Sequence, residues 1–202
     1  MRAWVGLAAG LALAAAAGAG YAHERQAGAH EHGRGTLNIA LEGGRLSMEL
    51  EAPGADIVGF EHKARTQKQK AAVERAEEQL GAPQALFQLP AAAGCEFEAS
   101  SVSLEGHHDH GREAKDHDHA HGAKAHSHKH DDAAGGQAEH SSFRAEYAFN
   151  CTAPTNLTTI GFDYFKVFAG AQKLDVTVIG PKQQSRFEVS RTKPRLDLGG
   201  MM

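Results

Sequence analysis

Fourteen histidines lie in this sequence, and most of them fall in one stretch. His107-His108-Asp109-His110, His117-Asp118-His119-Ala120-His121 and His126-Ser127-His128-Lys129-His130 follow one another, with His140 at the far edge. Neutral imidazole is a good ligand for Zn²⁺, Cu²⁺ and Ni²⁺, and the interleaved carboxylates add charge or orient the rings. No apolar side chain larger than alanine occurs from position 106 to 138. Such a segment cannot bury enough surface to offset its ordering entropy, so residues 106–140 read as a loop that is disordered without a ligand. It can assemble several alternative tetrahedral sites, binding more than one ion loosely and exchanging them fast. Two competing readings are a neutral low-complexity linker and a pH sensor that extends by self-repulsion when protonated.

His30, His32 and His62 stand apart, beside segments that should be ordered. His30 and His32 have strand-like spacing and would share one side, while His62 precedes a helix. Together they make a candidate three-nitrogen site, with Glu31, Glu61 or His140 to complete it. On spacing alone an equal alternative stands: His62 packs at the helix start, and His30 and His32 belong to a frayed terminus. Asp56 and Asp163 read as ordinary loop residues.

These residues need a frame. Leu37, Ile39 and Leu41 alternate with polar or small residues, as do Leu46, Met48 and Leu50, and Gly43-Gly44 between them supplies a tight turn. Pro53-Gly54 ends the second strand. Thr66 to Gln69 fits a capping box, Val73, Ala76 and Leu80 form a narrow apolar stripe, and Gly81 with Pro83 stops the helix. A short helical turn is expected over residues 84–89. Cys95, Phe97 and Ala99 point one way, and Phe143, Ala145, Tyr147, Phe149 and Cys151 alternate likewise. Pairing the two runs antiparallel with Cys95 opposite Cys151 sets Phe97 against Phe149 and Ala99 against Tyr147, with a bulge near Ser100-Ser101. An even cysteine count in an exported chain favours a disulfide, so Cys95–Cys151 is the expected bridge. Leu174, Val176 and Val178 mark a further strand, and Phe187 with Val189 a last one; residues 162–168 are aromatic-rich and fit strand or helix. The expected fold is a single α+β domain, mainly antiparallel sheet, with one main helix and the histidine-rich segment inserted at a hairpin tip.

Arg2 followed by an apolar run from Trp4 to Ala17, then Gly20-Tyr21-Ala22, reads as a cleavable secretory signal over residues 1–22. The alternative is an uncleaved anchor. The mature domain would then span residues 23–202, exported and free of membrane insertion. With 21 basic and 25 acidic side chains the net charge is −4, or −5 once Arg2 leaves with the signal, and no basic stripe occurs. That balance argues against a nucleic-acid partner.

The order of motifs is more telling than any one of them: H-x-H-G before L-N-I-A-L-E-G-G, then G-F-E-H, a helix, L-F-x-L-P with a cysteine, and F-x-C-T-x-P around Phe149 to Pro154. In this order the chain resembles the ZrgA-type zinc-uptake proteins of Gram-negative bacteria over essentially its whole mature length. The resemblance implies a periplasmic protein with a variable histidine-rich loop, linked to zinc acquisition beside an ABC-type importer. His30, His32 and His62 match the family's motif histidines; the loop histidines correspond in kind but not in register. Where the family carries F-P in the aromatic segment, this chain has Phe168-Ala169.

The leading expectation is a periplasmic Zn²⁺-capture protein that loads ions on its loop and assists uptake by a membrane importer. The alternative is a copper or nickel buffer or resistance protein, which the ligands permit because Cu²⁺ exceeds Zn²⁺ in intrinsic affinity at most imidazole sites. No H-E-x-x-H helix or recognised nucleophile is present, so an enzyme, including a metallohydrolase, is not expected.

Overall fold

The computed structural model describes residues 31–106 and 140–201. The expected signal segment, His30 and the histidines from 107 to 130 lie outside the described residues.

The chain enters as a hairpin, β1 (Arg34–Glu42) and β2 (Arg45–Pro53), turning through Gly43-Gly44. Leu37, Ile39 and Leu41 stack beside Leu46, Met48 and Leu50, and all six are buried, as their alternation requires. A single turn, α1 (Gly54–Val58), follows directly, before the main helix α2 (Gln67–Leu80). Thr66 Oγ1 accepts from the Gln69 amide and Gln69 Oε1 accepts from the Thr66 amide, which completes the expected capping box. Ala76 and Leu80 are the buried residues of its stripe. Then come α3 (Pro83–Leu86), β3 (Phe87–Gln88), and the long hairpin β4 (Cys95–Glu105) and β5 (Ser142–Cys151). The aromatic segment divides between the two conformations it allowed: β6 (Thr159–Phe162) and α4 (Tyr164–Val167). Strands β7 (Lys173–Ile179), β8 (Gln184–Ser190) and β9 (Arg195–Asp197) finish the fold.

Six strands form one sheet in the order β4-β5-β2-β1-β7-β8, and β3-β6-β9 form a second. Pairing is antiparallel except between β1 and β7, which run parallel. Alternating hydrophobicity fixes which face a strand buries but not the direction of its neighbour, so this pairing was not foreseeable from periodicity. The core lies between the inner face of the large sheet and a layer holding Leu86, Phe87, Ile160, Phe162, Tyr164 and Phe165. Phe87 meets Tyr147 edge-on at 5.7 Å and joins the two layers. The α+β class and the single core are as expected.

Cys95 and Cys151 are bonded, and Phe97 faces Phe149, as the alternation implies. The register beyond differs: Ala99 faces Ala148 and Ser100 faces Tyr147, because the bulge falls between Phe97 and Ala99 rather than near Ser100-Ser101. One extra residue there flips the later side chains of β4, which is why Val102 and Leu104 change parity. In the chain-entropy model, a bridge closing a loop of this length contributes about 4 kcal/mol.

Candidate metal centre

The end of the β4–β5 hairpin away from the disulfide is where three distant parts of the chain meet. His32 precedes β1, Glu61 follows α1, and His140 precedes β5. Glu61 is the centre of the group, its side chain only 10% exposed. His32 Nε2 lies 3.2 Å from Glu61 Oε1, and His140 Nδ1 lies 2.5 Å from Glu61 Oε2. The two rings are open to solvent, with side chains 67% and 50% exposed respectively. A shielded carboxylate is thus flanked by two solvent-exposed imidazoles.

His32 and His140 are each tied down through the backbone of the residue that follows. The Gly33 amide donates to Asp56 Oδ1 at 2.7 Å, and the Gly33 carbonyl accepts from the Gln172 and Lys173 amides at 2.9 and 2.8 Å. Gly33 sits at φ 85°, where an L side chain is strained, and an added Cβ would stand 3.1 Å from Gln172 Cγ. The glycine of H-x-H-G is therefore a structural demand of the turn that carries His32 into β1. On the other side the Gly54 amide donates to the Ser141 carbonyl at 2.7 Å, which fixes the residue after His140 against α1.

Burial opposes ionisation of Glu61, but the hydrogen bond from His140, the close approach of His32 and the charge of both rings outweigh it, so its pKa falls below the usual glutamate value. Asp56 shows the opposite balance. Burial pushes its pKa up, and the Gly33 amide and the nearby His32 counter only part of that.

Two donors on a tetrahedral zinc, each about 2.0–2.1 Å from it, stand about 3.3 Å apart. His32 and Glu61 already have that separation. His140 forms a close hydrogen bond instead and would open from it when a cation replaces the shared proton. Among the described residues no three His, Cys, Asp or Glu side chains form a ready-made cage. His140 and Glu61 share a proton whose place a divalent ion could take, and Glu61 Oε1, 3.2 Å from His32 Nε2, is buried without a hydrogen-bond partner.

His62 is placed differently from His32 and His140. Its ring stacks on Phe60 at 5.0 Å, Nδ1 lies 3.1 Å from the Lys63 carbonyl, and Nε2 lies 3.4 Å from Gln69 Nε2. These contacts hold it at the start of α2, so the structure does not bring it to His32. Glu31, another expected completing group, reaches Arg34 at 3.3 Å. Asp163 contacts Lys166 and Gln88, as a loop acid does. Asp56 is the residue the sequence concealed: it is 5% exposed on α1, not an ordinary loop acid. A lone aspartate after Pro53-Gly54 carries no periodic signal, and the Gly33 turn is the sole hint of a partner.

Against protein families, residues 29–198 match the one described as ZrgA family zinc uptake protein. The chain belongs to the ZrgA family. The match takes in H-x-H-G, Glu61, His140 and both cysteines, so the grouped residues lie within the family's own extent. The family's role is zinc uptake, and zinc is the ion against which this site is judged. No curated protein matches the chain. Among the described residues, no helix is long and apolar enough to cross a membrane.

Proposed function

We propose that this protein captures Zn²⁺ in the periplasm and assists its delivery to an ABC-type membrane importer, using a folded site of His32, Glu61 and His140. The observation that carries the reading is the shielded Glu61 carboxylate with an exposed imidazole on each oxygen. Glu61 supplies charge, and the two rings supply neutral nitrogen donors, a set that suits zinc. His30, two residues before His32 in the sequence, is a further candidate donor.

The histidine-rich segment supports the same reading by where it begins and ends. Gly106 and His140 bound it, and His140 is itself a site residue, so ions gathered at His107, His108, His110, His117, His119, His121, His126, His128 and His130 are tethered to the folded site. We read the segment as a feeder and the folded site as the holding position. The protein acts as a carrier and not an enzyme, with Glu61 serving as ligand rather than general base. Export rests on the signal-like residues 1–22.

Zinc titration by calorimetry tests this on three forms of the mature chain: unaltered, His32→Ala/His140→Ala, and deleted for residues 107–139. The double variant should lose one tight phase and keep weak binding; the deletion should keep the tight phase and bind fewer ions. A tight phase that survives the double variant contradicts the folded site. Competition with Cu²⁺ and Ni²⁺ in the same cell addresses the copper or nickel alternative.

A further inference from the structure

Asp56 makes no contact with solvent worth the name, and one of its carboxylate oxygens, Oδ2, has no hydrogen-bond partner. Burying a carboxylate half satisfied is costly, and packing alone would be served better by an apolar side chain. Its other oxygen makes one bond, to the amide of the residue that follows His32. The surroundings keep that bond in place. Arg191 Nη2 lies 2.8, 2.9 and 2.7 Å from the carbonyls of Phe168, Ala169 and Ala171. This shapes a loop that lays Gly170 on Asp56 so closely that a Cβ there would stand 2.5 Å from the Asp56 carbonyl oxygen. The same stretch then presents the Gln172 and Lys173 amides to the Gly33 carbonyl. Gly33 is gripped at both its polar atoms, and the Asp56 end is the only grip made by a side chain.

Resting on the folded zinc site described above, we propose that Asp56 is its positioning residue. It touches no ion itself. By accepting from the Gly33 amide it holds the φ 85° turn, and so delivers the His32 ring to Glu61 with little freedom left to lose on binding. Groups bonded directly to a metal ligand typically matter by about 10–100-fold in affinity, and Asp56, acting one residue further out through the Gly33 amide, belongs at the lower end.

The test uses Zn²⁺ alone, titrated into the mature chain as unaltered protein and as Asp56→Ala, Asp56→Asn and His32→Ala. Asp56→Ala should weaken the tight phase by about tenfold and leave the weak phase unchanged. Asp56→Asn, which keeps an acceptor oxygen in place, should recover it to within a few-fold. A residue serving stability alone would lower Tm in the alanine variant without moving the tight affinity, and that result overturns the proposal. So does an asparagine variant as weak as the alanine one, which would make the charge and not the acceptor the active feature. If His32→Ala keeps the tight phase, the folded site itself fails and this inference with it; if only Asp56→Ala keeps it, the site stands and the inference falls. Should Asp56→Ala not fold, the Gly33 amide resonance of the unaltered protein decides: it should shift with the first zinc equivalent, and an unmoved resonance beside shifted His32 ring signals counts against the proposal.

Discussion

Two clusters of charge lie either side of Gly33, and they are built from opposite materials. On one side His32 and His140 flank the shielded Glu61. On the other Arg34 reaches Asp175 with Nε at 2.7 Å and Nη2 at 3.0 Å, and also Glu188 at 3.3 Å, while Lys173 reaches Glu188 at 3.2 Å. The second cluster is open to solvent and its cations are permanent: guanidinium and ammonium carry no lone pair for a metal at neutral pH. In the first the cations are conditional, since imidazole loses its proton near neutrality and offers a nitrogen in its place. Similar carboxylates are neutralised in both, yet only one cluster can exchange protons for a divalent ion. The difference lies in the partner residue and in how firmly the acid is held.

Replacement of the central acids should separate the two clusters most sharply. Glu61→Gln should weaken the tight zinc phase by at least about a hundredfold, since a direct ligand outweighs the outer partners that typically matter by 10–100-fold. Asp175→Asn should change it by less than about twofold, and calorimetry on both variants distinguishes them.

Acid should divide them next. Zinc must compete with protons for imidazole nitrogens, so zinc affinity should fall as the pH is lowered from neutral into the mildly acidic range. The Arg34 cluster should be untouched in that range. Asp175 has its pKa lowered from 3.8, first by the Arg34 hydrogen bond, so its contribution to stability is present above the ordinary aspartate value and is lost only as pH falls through the lower folded value. Without metal Glu61 follows the same sign below 4.5. Thermal melts and zinc titrations along one pH series should therefore show zinc affinity failing well before the Asp175 contribution does.

Gly33 joins the two clusters, so Gly33→Ala should disturb both. The strained φ and the Gln172 contact are worth about 1–2 kcal/mol of stability, and the displaced His32 should weaken the tight phase by about tenfold. The smallest effect is that of salt. Raising ionic strength from 0.05 to 0.5 M, roughly a threefold shortening of the screening length, should reduce the contribution of the Arg34 cluster to Tm and move the tight zinc affinity by less than about twofold.

Much of the fold was legible because its signals are local or periodic. The Gly43-Gly44 hairpin, the Thr66–Gln69 cap and the Cys95–Cys151 pairing each follow from a few residues and a known spacing. The direction of β7 beside β1, and the bulge between Phe97 and Ala99, depend on neighbours that alternation does not name. The site was legible by residue type: Glu61 and His140 stood among the groups able to join His32. Choosing among them required tertiary contacts, because Glu31 is drawn to Arg34 and His62 to Phe60 and Gln69. Asp56 was hidden for the same reason, its role being defined by Gly33 and Gly170, residues remote in sequence.

The most direct measurement is a crystal structure of the mature protein with one equivalent of zinc, with data collected at the zinc absorption edge. The account predicts an anomalous peak about 2.0–2.2 Å from a nitrogen of His32, a nitrogen of His140 and an oxygen of Glu61. A peak elsewhere, with the His140–Glu61 hydrogen bond intact beneath it, would contradict the folded site.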